Sequence, residues 1–412
     1  MSHKLLQINP VVRLNTSTGR IMKEIGEMAI AAGWESYIAY SRARDGVPQH
    51  TSQLVPVGDR LDLAVHAVAT RLFDAHGLAS RRATRELIRR IREIDPDVVH
   101  IHNVHGYFLN YPLLCEFLRQ RGKPVIWTVH DCWLYTGHCY HYASAHCDKW
   151  RTGCGHCPQK RAFPSSWLLD RSARNWRLKK QAIGSLDQLT VVTVSDWMRR
   201  EMASSFLADK PFRVIHNGID LDVFRPEAAA DAPRTEGTLL LGVASIWLEE
   251  KGLGDFIALA GRLREDEHLM LVGRMTEEQR RRIPAGVQLI ERTENAGKLA
   301  ALYAVATVLL NPTWQDNYPT VNLEAVACGT PVITYRTGGS PETIPSFPEN
   351  SGIYAGTVVE KGDIDGILSG IHAFMSSDRA EMSKTYRKFA VENFNKGDRY
   401  KDYIGLYKKL TQ

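Results

Sequence analysis

Two carboxylates, Asp316 and Glu324, flank the start of a predicted helix in the stretch Asn311–Tyr335. An apolar run, Ala306–Leu310, precedes it, and Gly329-Thr-Pro followed by Val332-Ile-Thr-Tyr closes it. The pattern predicts a strand, a helix opening at Pro319 and a second strand, since proline is tolerated in a first helical turn. Asp316 then stands on the loop before the helix and Glu324 lies inside it. A helix N-terminus presents about half a positive charge and unpaired N–H groups, which suit a phosphate. Carboxylates do not help to hold a phosphate, but they accept hydrogen bonds from sugar hydroxyls. The plainer reading is a capping Asp and an exposed helical Glu, and two acids alone do not decide between these.

Other groups have chemistry to offer. Lys251 precedes Gly252 and is either a phosphate cation or a solvated lysine. Thr16-Ser-Thr-Gly-Arg20 follows the first strand and opens a helix, where Gly19 allows close backbone approach. It is not a full G-x-G-x-x-G fingerprint, and an ordinary strand–helix turn would look the same. His130 ends an apolar strand and precedes Asp131, as a ligand contact or as a core histidine paired with Asp131. His100, His102 and His105 stand at the end of the neighbouring strand without an assigned role. Six of the seven cysteines fall in residues 115–157. Cys139, Cys147, Cys154 and Cys157 have the residue types for a four-thiolate structural zinc site, with Cys154-Gly-His-Cys157 as one half. Reduced thiols in a packed loop are the alternative. A four-cysteine site has no open position for catalysis, and disulfides are disfavoured in a reducing compartment.

The elements that must position these groups alternate. Lys4–Ile8, Trp34–Tyr40, Asp97–Asn103, Pro124–Asp131, Leu189–Ser195 and Phe212–His216 read as strands. Thr18–Ala32, capped by Thr16 or Thr18, and Arg81–Ile94 read as helices, the second ended by Asp95-Pro96. Arg225–Gly237 reads as a linker. The alternation then restarts with Thr238–Ala244, His268–Gly273, Val287–Ile290 and the 306–335 unit. Helices are expected from Gly254, near Ala296–Val305, and over Ile364–Met375, Ala380–Phe394 and Arg399–Leu410. The fold class is therefore α/β, with two doubly wound parallel sheets. Ligands of such sheets bind at the carboxyl ends of the strands.

The 311–335 stretch resembles the acid-x7-acid motif of retaining nucleotide-sugar glycosyltransferases of the GT-B fold, the family-four (glycosyl transferases group 1) type. His216-Asn-Gly-Ile-Asp220 with Phe224–Pro226, Lys251-Gly252, Leu271-Val-Gly-Arg274 and Gly338-Gly-Ser-Pro-Glu342 resemble further signatures of that family. His130-Asp131, the cysteine segment and Asp316-Asn-Tyr-Pro319 are most similar to colanic-acid and capsule-type enzymes. The resemblance implies two Rossmann-like domains facing a central cleft. Residues 1–222 would form the acceptor domain, with a cysteine-rich excursion at 132–160, and residues 223–395 the donor domain. A last helix, 396–412, would pack back on the first.

It also implies roles. Glu324 binds ribose hydroxyls, and Asp316 holds a donor-sugar hydroxyl where the family usually has Glu. Lys251 neutralises the leaving diphosphate. Backbone N–H groups of Asn317, Tyr318, Thr320 and Val321 meet the diphosphate or the sugar. Gly273 closes the nucleotide-side strand, Gly19 lies near the donor sugar, and His130 orients that sugar. The family's usual Arg five residues before the lysine is replaced by Ile246, so Ser245, Arg274 or Arg20 would have to supply the missing contact. The implied reaction retains anomeric configuration and needs no catalytic metal or other cofactor. The donor is a nucleotide-diphosphate sugar, and the acceptor a glycan or lipid-linked sugar of a bacterial surface polysaccharide.

Composition agrees with a two-domain soluble chain: 412 residues, 44% hydrophobic and 24% charged. No apolar run nears the roughly 20 residues of a membrane span, and the N-terminus lacks a signal peptide's apolar core, so a cytoplasmic location is expected. Residues 1–216 hold 30 Lys/Arg against 19 Asp/Glu, whereas the remainder is mildly acidic. Arg81–Arg92 and Arg171–Lys180 concentrate this charge, which suits an anionic inner membrane surface or is a solvated face. No nucleic-acid-binding signature accompanies it. The rival readings are a two-domain sugar-nucleotide epimerase and a zinc-stapled binding protein that has lost transfer.

Overall fold

The structure, a computed structural model, describes residues 2–12, 17–43, 51–232, 237–344 and 356–412. Thr16, expected as a helix cap, lies outside them, as do linker residues 233–236. The chain divides into two compact units, residues 1–216 with 400–412, and residues 217–399.

The first unit runs Lys4–Ile8 (β1), Ser17–Ala31 (α1), Glu35–Tyr40 (β2), Gln53–Pro56 (β3), Arg60–Phe73 (α2), Arg81–Ile94 (α3), Val98–Ile101 (β4), Tyr111–Arg121 (α4), Val125–Val129 (β5), Ser172–Gly184 (α5), Leu189–Thr193 (β6), Asp196–Met202 (α6) and Phe212–Val214 (β7). The strands form one parallel sheet in the order β3-β2-β1-β4-β5-β6-β7. β4, β5 and β6 are buried along their whole length. That explains their unbroken apolar sequences, because a sheet covered on both faces has no solvent side. α3 buries Leu87, Ile88 and Ile91 and turns its arginines to solvent. It stops where Asp95 takes a left-handed φ of 48°.

The second unit runs Thr238–Ile246 (β8), Leu253–Ala260 (α7), Glu267–Arg274 (β9), Glu277–Arg282 (α8), Gln288–Ile290 (β10), Ala296–Val305 (α9), Val308–Asn311 (β11), Thr320–Ala327 (α10), Val332–Tyr335 (β12), Thr357–Val359 (β13), Ile364–Met375 (α11) and Arg379–Asn393 (α12), and the last helix, Lys396–Leu410 (α13), starts in it and continues into the first. Its parallel sheet has the order β10-β9-β8-β11-β12-β13. Pro226–Asp231, inside the expected linker, is a short helical turn packed on α9. The strand expected over 306–310 is shifted to 308–311, and Pro319 caps α10 rather than filling its first turn.

Both sheets reverse direction once, between β1 and β4 and between β8 and β11. At such a switch point the loops after adjacent strands part, and a crevice opens at the carboxyl ends. α13 passes from one unit into the other. Tyr400, Tyr403, Ile404 and Tyr407 join Leu5, Ile25, Val98 and Ile126 in the core of the first.

Candidate active site

In the second unit the switch point is occupied by an ion pair. Lys251 follows β8 and Asp316 follows β11, and Lys251 Nζ lies 2.7 Å from Asp316 Oδ2. Several contacts fix the two loops together. Trp314 N–H donates to the Glu250 carbonyl at 2.8 Å, and Gly252, at φ +80°, sits against Pro312, whose carbonyl oxygen a Cβ would meet at 2.2 Å. On the other side the Asp316 carbonyl accepts Gly339 N–H at 3.1 Å. Gly338 has φ +54°, and a Cβ there would stand 1.8 Å from the Asp316 oxygen. The two glycines are thus required by close approach around the pair.

The remaining expected residues cluster on the same sheet edge. Asn317 and Tyr318 are buried ahead of α10, and Thr320 and Val321 open the helix half-buried. Asp316 Oδ1 accepts Tyr318 N–H at 3.3 Å. Glu324 is buried within α10, and its Oε2 accepts the Tyr303 hydroxyl at 3.0 Å. This excludes the exposed-helical-Glu reading. Gly273 has φ +139°, and a Cβ there would meet the Ala244 oxygen at 2.0 Å. Arg274 and Ser245 are exposed beside it at the ends of β9 and β8. Ile246, exposed, follows a register shift between β8 and β9.

In the first unit the switch point carries a histidine relay. His102, after β4, accepts or donates at 3.1 Å to His130 Nε2 through Nδ1, and its Nε2 lies 3.1 Å from Gln7 Oε1 on β1. Gln7 Nε2 donates to the Met22 carbonyl, so Gln7 turns its acceptor oxygen to His102. His102 Nε2 therefore carries the proton. Burial depresses the His102 imidazole well below its usual range and that of His130 to about 4, so both are neutral. His102 Nδ1 is then an acceptor, His130 Nε2 the donor to it, and His130 Nδ1 bears a lone pair. Asp131 attracts His130 electrostatically, with hydrogen bonds that reach other groups. It lies 2.6 Å from His105 Nε2 and caps Trp133 N–H. Burial opposes its charge, yet the adjoining His105 and these hydrogen bonds hold it below the ordinary carboxylate range. His102, His105, His130, Asp131 and Trp133 line one small cavity. Gly19 is buried in the first turns of α1.

Sequence reasoning left Gln7, His102, His105 and Tyr303 without roles. The signal available was position: Gln7 and His102 are polar residues at the ends of the two strands that border the sheet reversal.

The expected zinc site is not formed. Cys139, Cys147, Cys154 and Cys157 line a common cavity, but among the described residues no three His, Cys, Asp or Glu groups come together to hold a metal ion. Cys139 and Cys157 hydrogen-bond to each other instead, and Cys154 Sγ accepts Gly137 N–H at 3.2 Å. The excursion is held by packing. Trp150 is buried against Tyr135 and Tyr142, and its carbonyl accepts Trp176 Nε1–H at 2.8 Å. Lys179 is buried under the excursion. It donates to the Trp133 and Thr136 carbonyls, with its ammonium 3.4 Å from the Trp133 ring centre.

Two Rossmann-like parallel sheets in one chain are the architecture of the GT-B fold. The chain belongs to the family-four glycosyltransferases: residues 18–223 match the Glycosyltransferase Family 4 model and residues 237–377 match Glycosyl transferases group 1. Among curated proteins it is 25% identical over 361 residues to the putative colanic acid biosynthesis glycosyl transferase WcaC of Escherichia coli K12, covering 82% of this chain and 85% of that one. It is 30% identical over 178 residues to an alpha-maltose-1-phosphate synthase of Mycobacterium tuberculosis, covering 37% of this chain and 45% of that one. Sucrose-phosphate synthase from Thermosynechococcus elongatus has the same fold, with a TM-score of 0.71 at 18% identity over 99% of both chains. Anabaena HepE in complex with UDP and glucose gives 0.66 at 13% identity, over 99% of this chain and 100% of that one.

Proposed function

We propose that the protein transfers a sugar, with retention, from a nucleotide-diphosphate sugar to a glycan or lipid-linked acceptor in surface polysaccharide synthesis. The observation that carries this reading is the Lys251–Asp316 pair at the β8/β11 reversal, beside the start of α10. A diphosphate entering there competes for the Lys251 ammonium and releases the Asp316 carboxylate to accept a hydroxyl of the donor sugar. Glu324, oriented by Tyr303, accepts the ribose hydroxyls. Lys251, Arg274, Ser245 and the N–H groups of Asn317, Tyr318, Thr320 and Val321 take the negative charge that grows on the leaving diphosphate, without a catalytic metal. The anomeric C–O bond to phosphate breaks, the acceptor oxygen bonds to the same face, and its proton passes to the departing phosphate oxygen. His130, held at Nε2 by His102, orients the donor sugar. UDP in the HepE complex and the WcaC similarity support the donor class and the polysaccharide setting.

The test is a panel of nucleotide sugars with and without a lipid-linked acceptor. Acceptor-dependent release of nucleoside diphosphate supports transfer. Release or sugar rearrangement without acceptor would instead favour an epimerase.

A further inference from the structure

Helix α2 is built inside out. The residues it buries are His66 and Thr70, both fully inaccessible. Four of its large apolar residues face solvent, with Leu61, Val65 and Val68 70%, 56% and 52% exposed and Phe73 at its end, while Leu63 and Leu72 are half-buried. His66 explains the inversion, since its Nδ1 bonds the Ser80 hydroxyl and its Nε2 accepts Gly77 N–H. A second apolar segment lies against the end of α2. Trp167 N–H donates to the Arg71 carbonyl at 2.6 Å, and Trp167 and Leu168 are 57% and 63% exposed. The segment is fixed in place, with Ser166 donating to the Leu169 carbonyl and Lys160 to that of Leu168.

The charge around this face is predominantly positive. The Arg71 guanidinium lies over the Trp167 ring and that of Arg171 over Phe73. Arg60 and Arg161 are exposed, and Lys160 stands beside Leu168. The nearby acids are already engaged: Asp59 and Asp62 by Arg82, Asp170 by the Cys157 and Ser172 N–H groups, and Asp74 by His138.

We propose that the face formed by α2 and residues 163–169 docks on an anionic lipid bilayer. Leucine, valine and tryptophan among arginines is the composition of an interfacial helix that lies in a headgroup layer. Among the described residues no helix is long and apolar enough to cross a membrane, so the contact is peripheral. A symmetric contact with a second copy would set these arginines against themselves, a like-charge repulsion that a bilayer avoids. The face also leads to the first unit's cavity. Phe163, at its edge, packs on His76 and Tyr107 at 5.9 and 6.4 Å and on His105 at 6.5 Å. An acceptor whose lipid stays in the bilayer would thus present its sugar beside His105 and Asp131. This last step rests on the transferase reading above, but the docking itself does not.

The experiment is co-sedimentation of the full chain with vesicles of phosphatidylcholine containing about 30% phosphatidylglycerol, and with phosphatidylcholine alone. The intact chain is expected to bind the anionic vesicles and to release them at high salt. Leu61→Ser with Val65→Ser, and separately Trp167→Ser with Leu168→Ser, should each weaken binding about tenfold or more. Val391→Ser, an exposed apolar residue of the second unit, should not. Brominated lipid should quench fluorescence of the intact chain more than that of Trp167→Phe, which keeps the apolar surface. Wild-type chain that ignores both vesicle types, or face variants that bind as wild type does, overturns the proposal. So does light scattering that finds a dimer dispersed by these variants. Face variants should keep transfer to a water-soluble acceptor. If vesicle binding follows the prediction and no transfer to any acceptor is found, the transferase reading fails and the docking stands.

Discussion

At the scale of single residues the pair Lys251–Asp316 is the centre of the account. It is partly exposed and its strength as an ion pair contributes little to stability, about 0–1 kcal/mol. Lys251→Ala should therefore leave the melting temperature nearly unchanged and lower kcat/KM by about 10²–10³-fold, the cost of removing a group that meets charge in the transition state. Steady-state kinetics beside calorimetry checks this; equal losses of stability and activity would make the pair structural. The histidine relay gives a second outcome. Long-range nitrogen–proton correlation spectra should find His130 protonated at Nε2 alone and not titrating near its ordinary value of about 6.5. A proton on Nδ1 would remove the relay. The acids, the lysine and His130 were legible in sequence because each sits in a local motif. Gln7, His102 and Tyr303 were not, because their partners lie 95, 28 and 21 residues away. Such pairing follows from strand order, which no window of sequence displays.

At the scale of elements, the loops after β8 and β11 are set by glycines in left-handed conformations. Gly338→Ala forces a Cβ toward the Asp316 carbonyl in addition to the strained φ. It should destabilise the second unit by about 1–3 kcal/mol and reduce kcat more than Glu342→Ala does, read by denaturant melts and initial rates. Full activity with unchanged stability would mean that this turn does not position Asp316. Most strands and long helices were readable from apolar runs and 3.6-residue spacing. β3 and β13 are only four and three residues long and give too little pattern. α2 was missed for a different reason: its apolar spacing is real but belongs to the solvent face, so it does not mark a core. The cysteine spacing was legible too, yet aromatic packing around Trp150 and the Lys179 ammonium, rather than a metal, hold that excursion.

At the scale of the whole molecule, buried histidines couple stability to pH. Burial depresses His66 and His130 to about 4 and His100 to about 3, with His76 and His102 also well below their ordinary range. The unfolded chain binds more protons than the folded one below about pH 6.5, so stability is full above that value and falls with acidification, on the order of 1 kcal/mol per pH unit for each histidine. His138 runs the other way. Burial opposes its charge, but Asp74 at 2.6 Å raises its pKa, and its contribution is lost as pH rises through that raised value. Five against one, the first unit should lose melting temperature between about pH 7 and about pH 5, as calorimetry would record; a flat profile would mean these histidines are hydrated. The two units follow from strand–helix alternation that the sequence displays throughout, whereas the return of α13 to the first unit was implied only by the family resemblance. The central claim concerns what that architecture carries at the β8/β11 reversal. Acceptor-dependent release of nucleoside diphosphate, compared between the wild-type chain, Lys251→Ala and Glu324→Ala, tests it most directly. The account predicts release by the wild type with its best donor and a fall of about 10²-fold or more in both variants. Undiminished release by both variants would contradict it.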